Sequence, residues 1–241
     1  MRSGRVGIDV RVEWGPDGLA ALLPHSDVVV VVDVLSFSSC VDVAVAAGAV
    51  VIPFDAPGDA ARSRAADMRA ACAGPRGESR FSLSPASFLT IRSEERVVLP
   101  SPNGGSLSCR TGSVPTLTAC LRNAGAVAEA AMAIGGRLAI IPAGERWPSG
   151  GLRFALEDWI GAGAVIASLR GNRSSEAAAA ASAFDAAAGY LERVLADCTS
   201  GRELVGRGYE RDVMMAARVN ESRAVPVLSG GGFVNRGGEG R

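Results

Sequence analysis

Residues 28–34 read VVVVVDV, and nothing else in the chain restricts the fold so tightly. Valine is stiff about its first side-chain torsion and packs best on extended backbone. Valines broken by a single aspartate offer no polar face to water, so the run belongs to a strand covered on both sides, inside a parallel or mixed sheet. Runs of the same character occupy residues 6–12, 50–54, 96–99 and 138–141, and weaker ones residues 116–121 and 224–228. Between them lie segments of helical spacing at residues 38–47, 59–71, 123–134, 152–169 and 175–196, several opening on Ser, Asp or Asn suited to cap a helix. This alternation predicts an α/β architecture, a layered mixed and largely parallel β-sheet with flanking helices. One domain is expected over residues 1–230, followed by a glycine-rich flexible tail at residues 231–241. Residues 73–87, AGPRGESRFSLSPAS, predict a long surface excursion of the kind that carries binding groups. The alanine-rich residues 177–188 favour helix and suit packing.

Charge and residue usage exclude several functions. The 25 basic and 25 acidic side chains cancel, so no global field gathers nucleic acid or an anionic membrane. Apart from His25 every basic residue is arginine, which rules out a P-loop lysine, a Schiff-base lysine and a lysine general base. The five cysteines are widely spaced with no C-x-x-C pair, which predicts reduced, mostly buried thiols. No apolar run has the length of a signal peptide or a membrane span, so a cytoplasmic location is expected.

Chemistry concentrates at four places. Asp33 ends the valine strand and is followed by Val-Leu-Ser-Phe-Ser-Ser, with Ser36 and Ser38 leading into a helix. Ligands gather beyond strand carboxyl ends, and helix N-termini offer N–H groups to phosphate. A metal and phosphate site and a simple helix cap are equal readings there. Asn103, Gly104 and Gly105 form a glycine turn after another strand, able to approach an anion closely and equally able to be an ordinary turn. Glu145 and Arg146 stand together at a third strand end: the arginine can fork onto phosphate or sulfonate and the glutamate can support a hard cation, or the two can pair at the surface. Glu157 and Asp158 are adjacent within an apolar helical stretch, pointing roughly 100° apart, so at least one is turned inward. Buried acids are seldom unpaired or unmetallated, which marks this pair. His25, the only histidine, reads as a solvated loop residue. With no Cys-x5-Arg loop and no Asp-x-Asp pair, the phosphatase chemistry left open is metal-assisted.

In this order Asp33-Val34-Leu35, Ser101-Pro102-Asn103-Gly104-Gly105, Ala143-Gly144-Glu145, Leu156-Glu157-Asp158 with Gly161-Ala162-Gly163, Gly201-Arg202-Glu203-Leu204 and Arg211-Asp212-Val213 resemble the 2-phosphosulfolactate phosphatase (ComB-like) family over nearly the whole chain. The resemblance implies a mixed-sheet α/β fold, Mg²⁺ as cofactor, and hydrolysis of the phosphate ester of a small anionic sulfonated hydroxy acid in coenzyme M synthesis. Carried over by position, it implies Asp33, Asn103, Gly104, Glu157, Asp158 and Asp212 near metal and phosphate. Asp33 and Glu157 are the first choices as metal ligands, Asp158 as a ligand or water-orienting base, Asp212 as a further ligand, and the Asn103-Gly104 turn as the phosphate cradle. Two departures stand out. Ser36 occupies a position where the family reads arginine, and the family's Gly-Phe-Asp-x-Gly-Asn-Ser-Pro loop is reduced to Arg80-Phe81-Ser82-Leu83-Ser84-Pro85. Arg80 and Arg146 are the candidates to replace the charge. Beside the phosphatase stand two other readings: a protein on the same scaffold that binds a small anion without turnover, and a structural partner in a homo-oligomer, for which only the alanine-rich helix speaks.

Overall fold

The valine run is a strand over Val28–Val32 with all five side chains fully buried. Val28, Val30 and Val32 join one apolar cluster, and Val29 and Val31 face another. Alternate side chains of a strand leave opposite faces, so both faces of this one are covered. The computed structural model describes residues 7–237. The first half of the chain runs β1 (Asp9–Val12), α1 (Gly15–Leu22), β2 (Val28–Val32), α2 (Phe37–Ala46), β3 (Val50–Phe54), α3 (Asp59–Asp67), β4 (Ala71–Cys72), β5 (Arg96–Pro100), α4 (Gly104–Ser108) and β6 (Thr116–Ala119). The second half runs α5 (Ala124–Ile134), β7 (Arg137–Pro142), β8 (Glu145–Arg146), β9 (Leu152–Arg153), α6 (Leu156–Ser168), β10 (Asn172–Arg173), α7 (Ser175–Ala187), α8 (Leu191–Asp197), α9 (Thr199–Gly206), α10 (Glu210–Ala216), β11 (Pro226–Ser229) and β12 (Gly232–Asn235).

Ten strands form one sheet in the order β10-β1-β7-β2-β6-β11-β12-β3-β5-β4, and β8 and β9 pair as a separate hairpin. The first five strands are mutually parallel, as are the last three, and the antiparallel pair β11–β12 joins the two blocks. This is the expected layered mixed sheet. On one face of the larger block lie α5, α6, α7, α8 and α10, and on the other Leu19 of α1 and Leu107 of α4. Helices α6 and α7 touch closely: a Cβ at Gly163 would collide with the Ala180 carbonyl, so the alanine-rich helix packs through its small residues.

Curvature brings distant parts of the chain together. A flat sheet would hold β2 and β5, five ladder steps apart, about 24 Å from each other. Yet Gly104, four residues beyond β5, donates its N–H to Asp33 at 2.8 Å. The loops that leave the carboxyl ends of β2 and β5 therefore reach one region although the two strands lie in oppositely directed blocks.

Several sequence expectations shift. The helix expected over residues 59–71 stops at Asp67, and Ala71 enters β4 on the sheet edge. That expected over residues 152–169 begins at Leu156, because Leu152 and Arg153 pair with Arg146 and Glu145. That expected over residues 175–196 breaks into α7 and α8 at a 3-10 turn over Ala188–Tyr190, at Gly189. Helices α1, α9 and α10 have no counterpart in the sequence reading. The flexible tail is corrected in part: Gly232–Asn235 is an interior strand between β11 and β3, with Phe233 fully buried against Phe37, while residues 238–241 and the first six lie outside the described residues. Cys40, Cys120 and Cys198 are buried, none of the five cysteines is in a disulfide, and His25 is exposed. Among the described residues no helix is long and apolar enough to cross a membrane.

If β12 closes the sheet, Phe233→Ala should lower the unfolding free energy by about 3–5 kcal/mol. Chemical denaturation measures it, and a loss under about 1 kcal/mol would show that the segment contributes no core.

Candidate active site

Where β2 ends, the backbone turns sharply into α2 and must satisfy N–H groups that no strand partner reaches. Asp33 meets part of that need: Oδ1 accepts the Phe37 N–H at 3.1 Å and Oδ2 the Gly104 N–H at 2.8 Å. A Cβ at Gly104 would lie within 3 Å of Phe37 and of Asp33, and one at Gly105 would lie 2.8 Å from the Phe54 carbonyl. Glycine is required there by close approach. The Gly104 N–H is therefore engaged by Asp33, which corrects its expected place in a phosphate cradle. Ser38 is buried, accepting the Asp33 N–H at 2.9 Å and bonding Thr118 Oγ1 at 2.6 Å, so its expected contact with substrate is replaced by a role inside the turn. The Leu35–Ser36 peptide is cis.

On α6, Asp158 repeats the device. Its Oδ1 accepts the Val34 N–H at 2.7 Å and its Oδ2 the Gly144 N–H at 2.9 Å, which ties the ends of β2 and β7 to the start of the helix. Both oxygens of Asp158, like both of Asp33, are thus occupied by backbone N–H groups. Glu157 is also buried, 2% exposed, beside Cys198 at a cleft of about 250 Å³ that Arg153 and Arg202 line. Glu145 projects from β8 and accepts the Asn103 side-chain N–H on Oε2 at 2.9 Å.

These four carboxyls share one electrostatic neighbourhood. Burial raises Asp33 to about 6, with the Glu157 charge adding to the rise and N–H bonds from Gly104 and Phe37 opposing it. Burial, then the Asp33 charge, lifts Glu145 to about 7. Asp158 is pushed well above the carboxylate range by burial and then by Asp33 and Glu157. Asp33 reaches Gly104, Asp158 reaches Val34 and Gly144, and Glu145 reaches Asn103, so the loops that follow β2, β5 and β7 converge although they are far apart in the chain.

Asp212 has other partners. It is buried on α10, where Oδ2 receives Arg76 Nη1 at 2.6 Å and Oδ1 receives Ser84 Oγ at 2.7 Å and the Ala86 N–H at 3.2 Å. It anchors the excursion over residues 73–87 and pairs with an arginine, and the metal-ligand role expected for it is corrected accordingly. Arg76 also donates through Nη2 to Ser36 Oγ at 2.9 Å. Sequence reasoning passed over Arg76, since a lone arginine in a Gly-Pro-Ser loop carries no local signal. Arg80, expected at the anion site, forks onto Glu95 at 2.6 and 3.1 Å and covers the Phe81 ring, so it belongs to the surface of the excursion. Arg146 does lie near: with Arg110 it lines a cavity of about 310 Å³ that Asn103 borders.

The donor set is hard oxygen, suited to a hard divalent ion. Among the described residues no group of three or more His, Cys, Asp or Glu side chains is spaced to hold a metal unaided. Mg²⁺ takes one or two carboxylates and completes its shell with water and ester oxygens, so the residues fit an ion held in that manner.

The sequence model described as 2-phosphosulpholactate phosphatase matches residues 19–231. A probable 2-phosphosulfolactate phosphatase of Gloeobacter violaceus is 30% identical over 224 residues, 88% of this chain and 92% of that protein. Proteins of the same description from Carboxydothermus hydrogenoformans and Thermotoga petrophila are 30% and 29% identical, over 82% and 85% of this chain and 84% and 90% of their own lengths. A match from Leu19 to Gly231 that takes in β2, the Asn103-Gly104-Gly105 turn and α6 leaves one conclusion: the chain belongs to the 2-phosphosulpholactate phosphatase family of phosphoric monoester hydrolases.

Proposed function

We propose that the chain hydrolyses the phosphate ester of 2-phosphosulfolactate, or of a closely related phosphorylated 2-hydroxy acid, with Mg²⁺ as cofactor, giving sulfolactate and phosphate. The observation that carries the reading is the convergence of the loops that hold Asp33, Asp158 and Glu145, with Glu157 beside them in a cleft lined by Arg153 and Arg202 and with Arg146 lining the cavity at Asn103. The substrate comes from the descriptions of its relatives.

Phosphoryl transfer asks a protein for position and charge more than for covalent chemistry. Asp33 and Glu157 would hold Mg²⁺, which when bound neutralises charge on the phosphoryl oxygens. Arginines at the rim add forked N–H donors to anionic oxygens. Water attacks phosphorus, the P–O bond to the substrate carbon chain breaks, and the departing alkoxide needs a proton. Glu145, whose carboxyl burial and then the Asp33 charge hold protonated above the ordinary range in the metal-free protein, would supply that proton. Asn103 fixes one of its oxygens and leaves the other to exchange the proton. Asp158 keeps the Val34 and Gly144 turns in place around this chemistry.

Purified protein should release phosphate from 2-phosphosulfolactate with Mg²⁺ and stop when the ion is chelated; turnover that persists in excess chelator would remove Mg²⁺ from the reading. Glu145→Gln should lower kcat by about 10²- to 10⁴-fold with the fold unchanged by circular dichroism. A Gln variant as fast as the parent would take Glu145 out of the proton transfer.

Stability of the metal-free protein should fall as pH rises. Glu145 and Asp33 are held above their ordinary 4.5 and 3.8, at about 7 and about 6, so the folded chain keeps protons that the unfolded chain has released. Their contribution is complete below about pH 4 and is lost toward about pH 7, at no more than about 1.4 kcal/mol per group for each pH unit. Asp27 and Glu95, held near 2 mainly by bonds from Arg137 and Arg80, titrate below this window. Thermal midpoints recorded at about pH 5.5 and about pH 7.5 should therefore decrease, and Glu145→Gln should flatten the slope. A midpoint that climbs across that range contradicts the burial of these protonated acids.

A further inference from the structure

The Asp33–Ser38 turn receives a cation from an unexpected part of the chain. Arg76, in the excursion between β4 and β5, donates to Ser36 Oγ and to Asp212, and its guanidinium lies 5.1 Å from the centre of the Tyr209 ring. Asp212 is itself fixed by Ser84 and Ala86, so the guanidinium is held at a defined point. A guanidinium has five N–H donors, and the two bonds to Ser36 and Asp212 leave others.

Beside it opens a cavity of about 780 Å³. The charged residues that line it are Arg62, Arg76 and Arg207, and no carboxylate does. Arg76 in its wall bonds Ser36, three residues beyond Asp33, and Pro102 lines both this cavity and the one that Asn103 borders, so the cavity opens beside the Asp33 turn. The cluster concentrates negative charge and suits a metal-bridged phosphate. An anionic group that stays behind when phosphate leaves is repelled by those acids and is better placed against a wall that offers guanidinium N–H donors and is lined by no carboxylate.

We propose that Arg76 binds the non-reacting acid group of the substrate, a sulfonate or a carboxylate, in this cavity, and so selects phosphate esters that carry one. The inference rests on the phosphatase reading above and deepens it. With Nη1 held by Asp212 and Nη2 by Ser36, the planar, always-charged guanidinium keeps N–H donors that can bond a trigonal or tetrahedral oxyanion. Arg76 is thus a specificity residue, acting on the part of the substrate that does not react.

The test compares 2-phosphosulfolactate, 2-phospholactate and p-nitrophenyl phosphate, the last with no second acid group. Removing Arg76 alone strands a buried Asp212, so the informative variants are Arg76→Lys and the double variant Arg76→Met with Asp212→Asn. In the double variant the ratio of kcat/KM for 2-phosphosulfolactate to that for p-nitrophenyl phosphate should fall by about 10- to 100-fold, mainly through KM. Lysine should restore part of the ratio, keeping charge but not the fork. A simultaneous fall relative to 2-phospholactate assigns Arg76 to the sulfonate; constancy of that second ratio assigns it to the carboxylate. Equal losses on all three esters would overturn the proposal, because a purely structural role moves every substrate alike. Calorimetric binding of sulfolactate keeps the two readings apart. A parent protein that binds sulfolactate yet releases no phosphate refutes the phosphatase and spares the inference if the double variant binds about 10-fold more weakly or worse. Equal affinity in parent and variant sinks the inference whatever the turnover.

Discussion

The backbone beyond β2, β5 and β7 has run out of ladder partners, and two buried carboxylates take their place. Asp33 accepts N–H groups from Phe37 and Gly104, and Asp158 from Val34 and Gly144. Four loop amides that would otherwise be orphaned in the interior are satisfied in this way. Each such amide left unpaired costs about 1–3 kcal/mol, so the two side chains hold the loops as firmly as a short strand pair would. The device also sets register. Since Asp158 sits in the first turn of α6, the helix cannot shift along the sheet without breaking both of its bonds.

The same carboxyls bring an electrostatic strain. Removed from water and close to one another and to Glu145 and Glu157, they resist ionising together, which is why burial leads the causes that raise Asp33, Glu145 and Asp158. Arg76 opposes the rise at Asp33 and Arg153 that at Glu145. The site is therefore short of positive charge at its centre and supplied with it at its rim. The Mg²⁺ of the proposed reaction would offset the charge of these carboxyls.

Much of the fold was legible because it follows from side-chain pattern. The all-valine strand had to be covered on both faces, and the runs at residues 50–54, 96–99 and 138–141 fell inside the sheet for the same reason. What escaped was set by partners distant in sequence. Gly232–Asn235 looks like part of a loose glycine tail until Phe233 meets Phe37 and the strand slots between β11 and β3. Leu152 and Arg153 continue the apolar pattern of α6 and are diverted only by pairing with β8. In the site, adjacent acids in an apolar stretch announced that at least one of Glu157 and Asp158 is turned inward, and both are buried, but not that Asp158 would be clamped by two amides or that Asp212 would be taken by Arg76.

Arg76 illustrates why a linear motif is a poor guide to charge. An anion responds to where a guanidinium stands in space, and the long arginine side chain lets that point be supplied from many backbone positions. Ser36 occupies the turn itself with a small hydroxyl, which leaves room for a side chain from outside, and the excursion over residues 73–87 passes close enough to fill it. Reach alone would give a mobile charge of little use for selection. Asp212 removes that freedom by pairing with Arg76 while bonding Ser84 and Ala86 of the same excursion, so one buried acid on α10 fixes both the loop and the cation it presents. Because the guanidinium is oriented before any ligand arrives, less conformational entropy is lost on binding, and that preorganisation turns a surface-loop arginine into a group capable of discriminating between substrates.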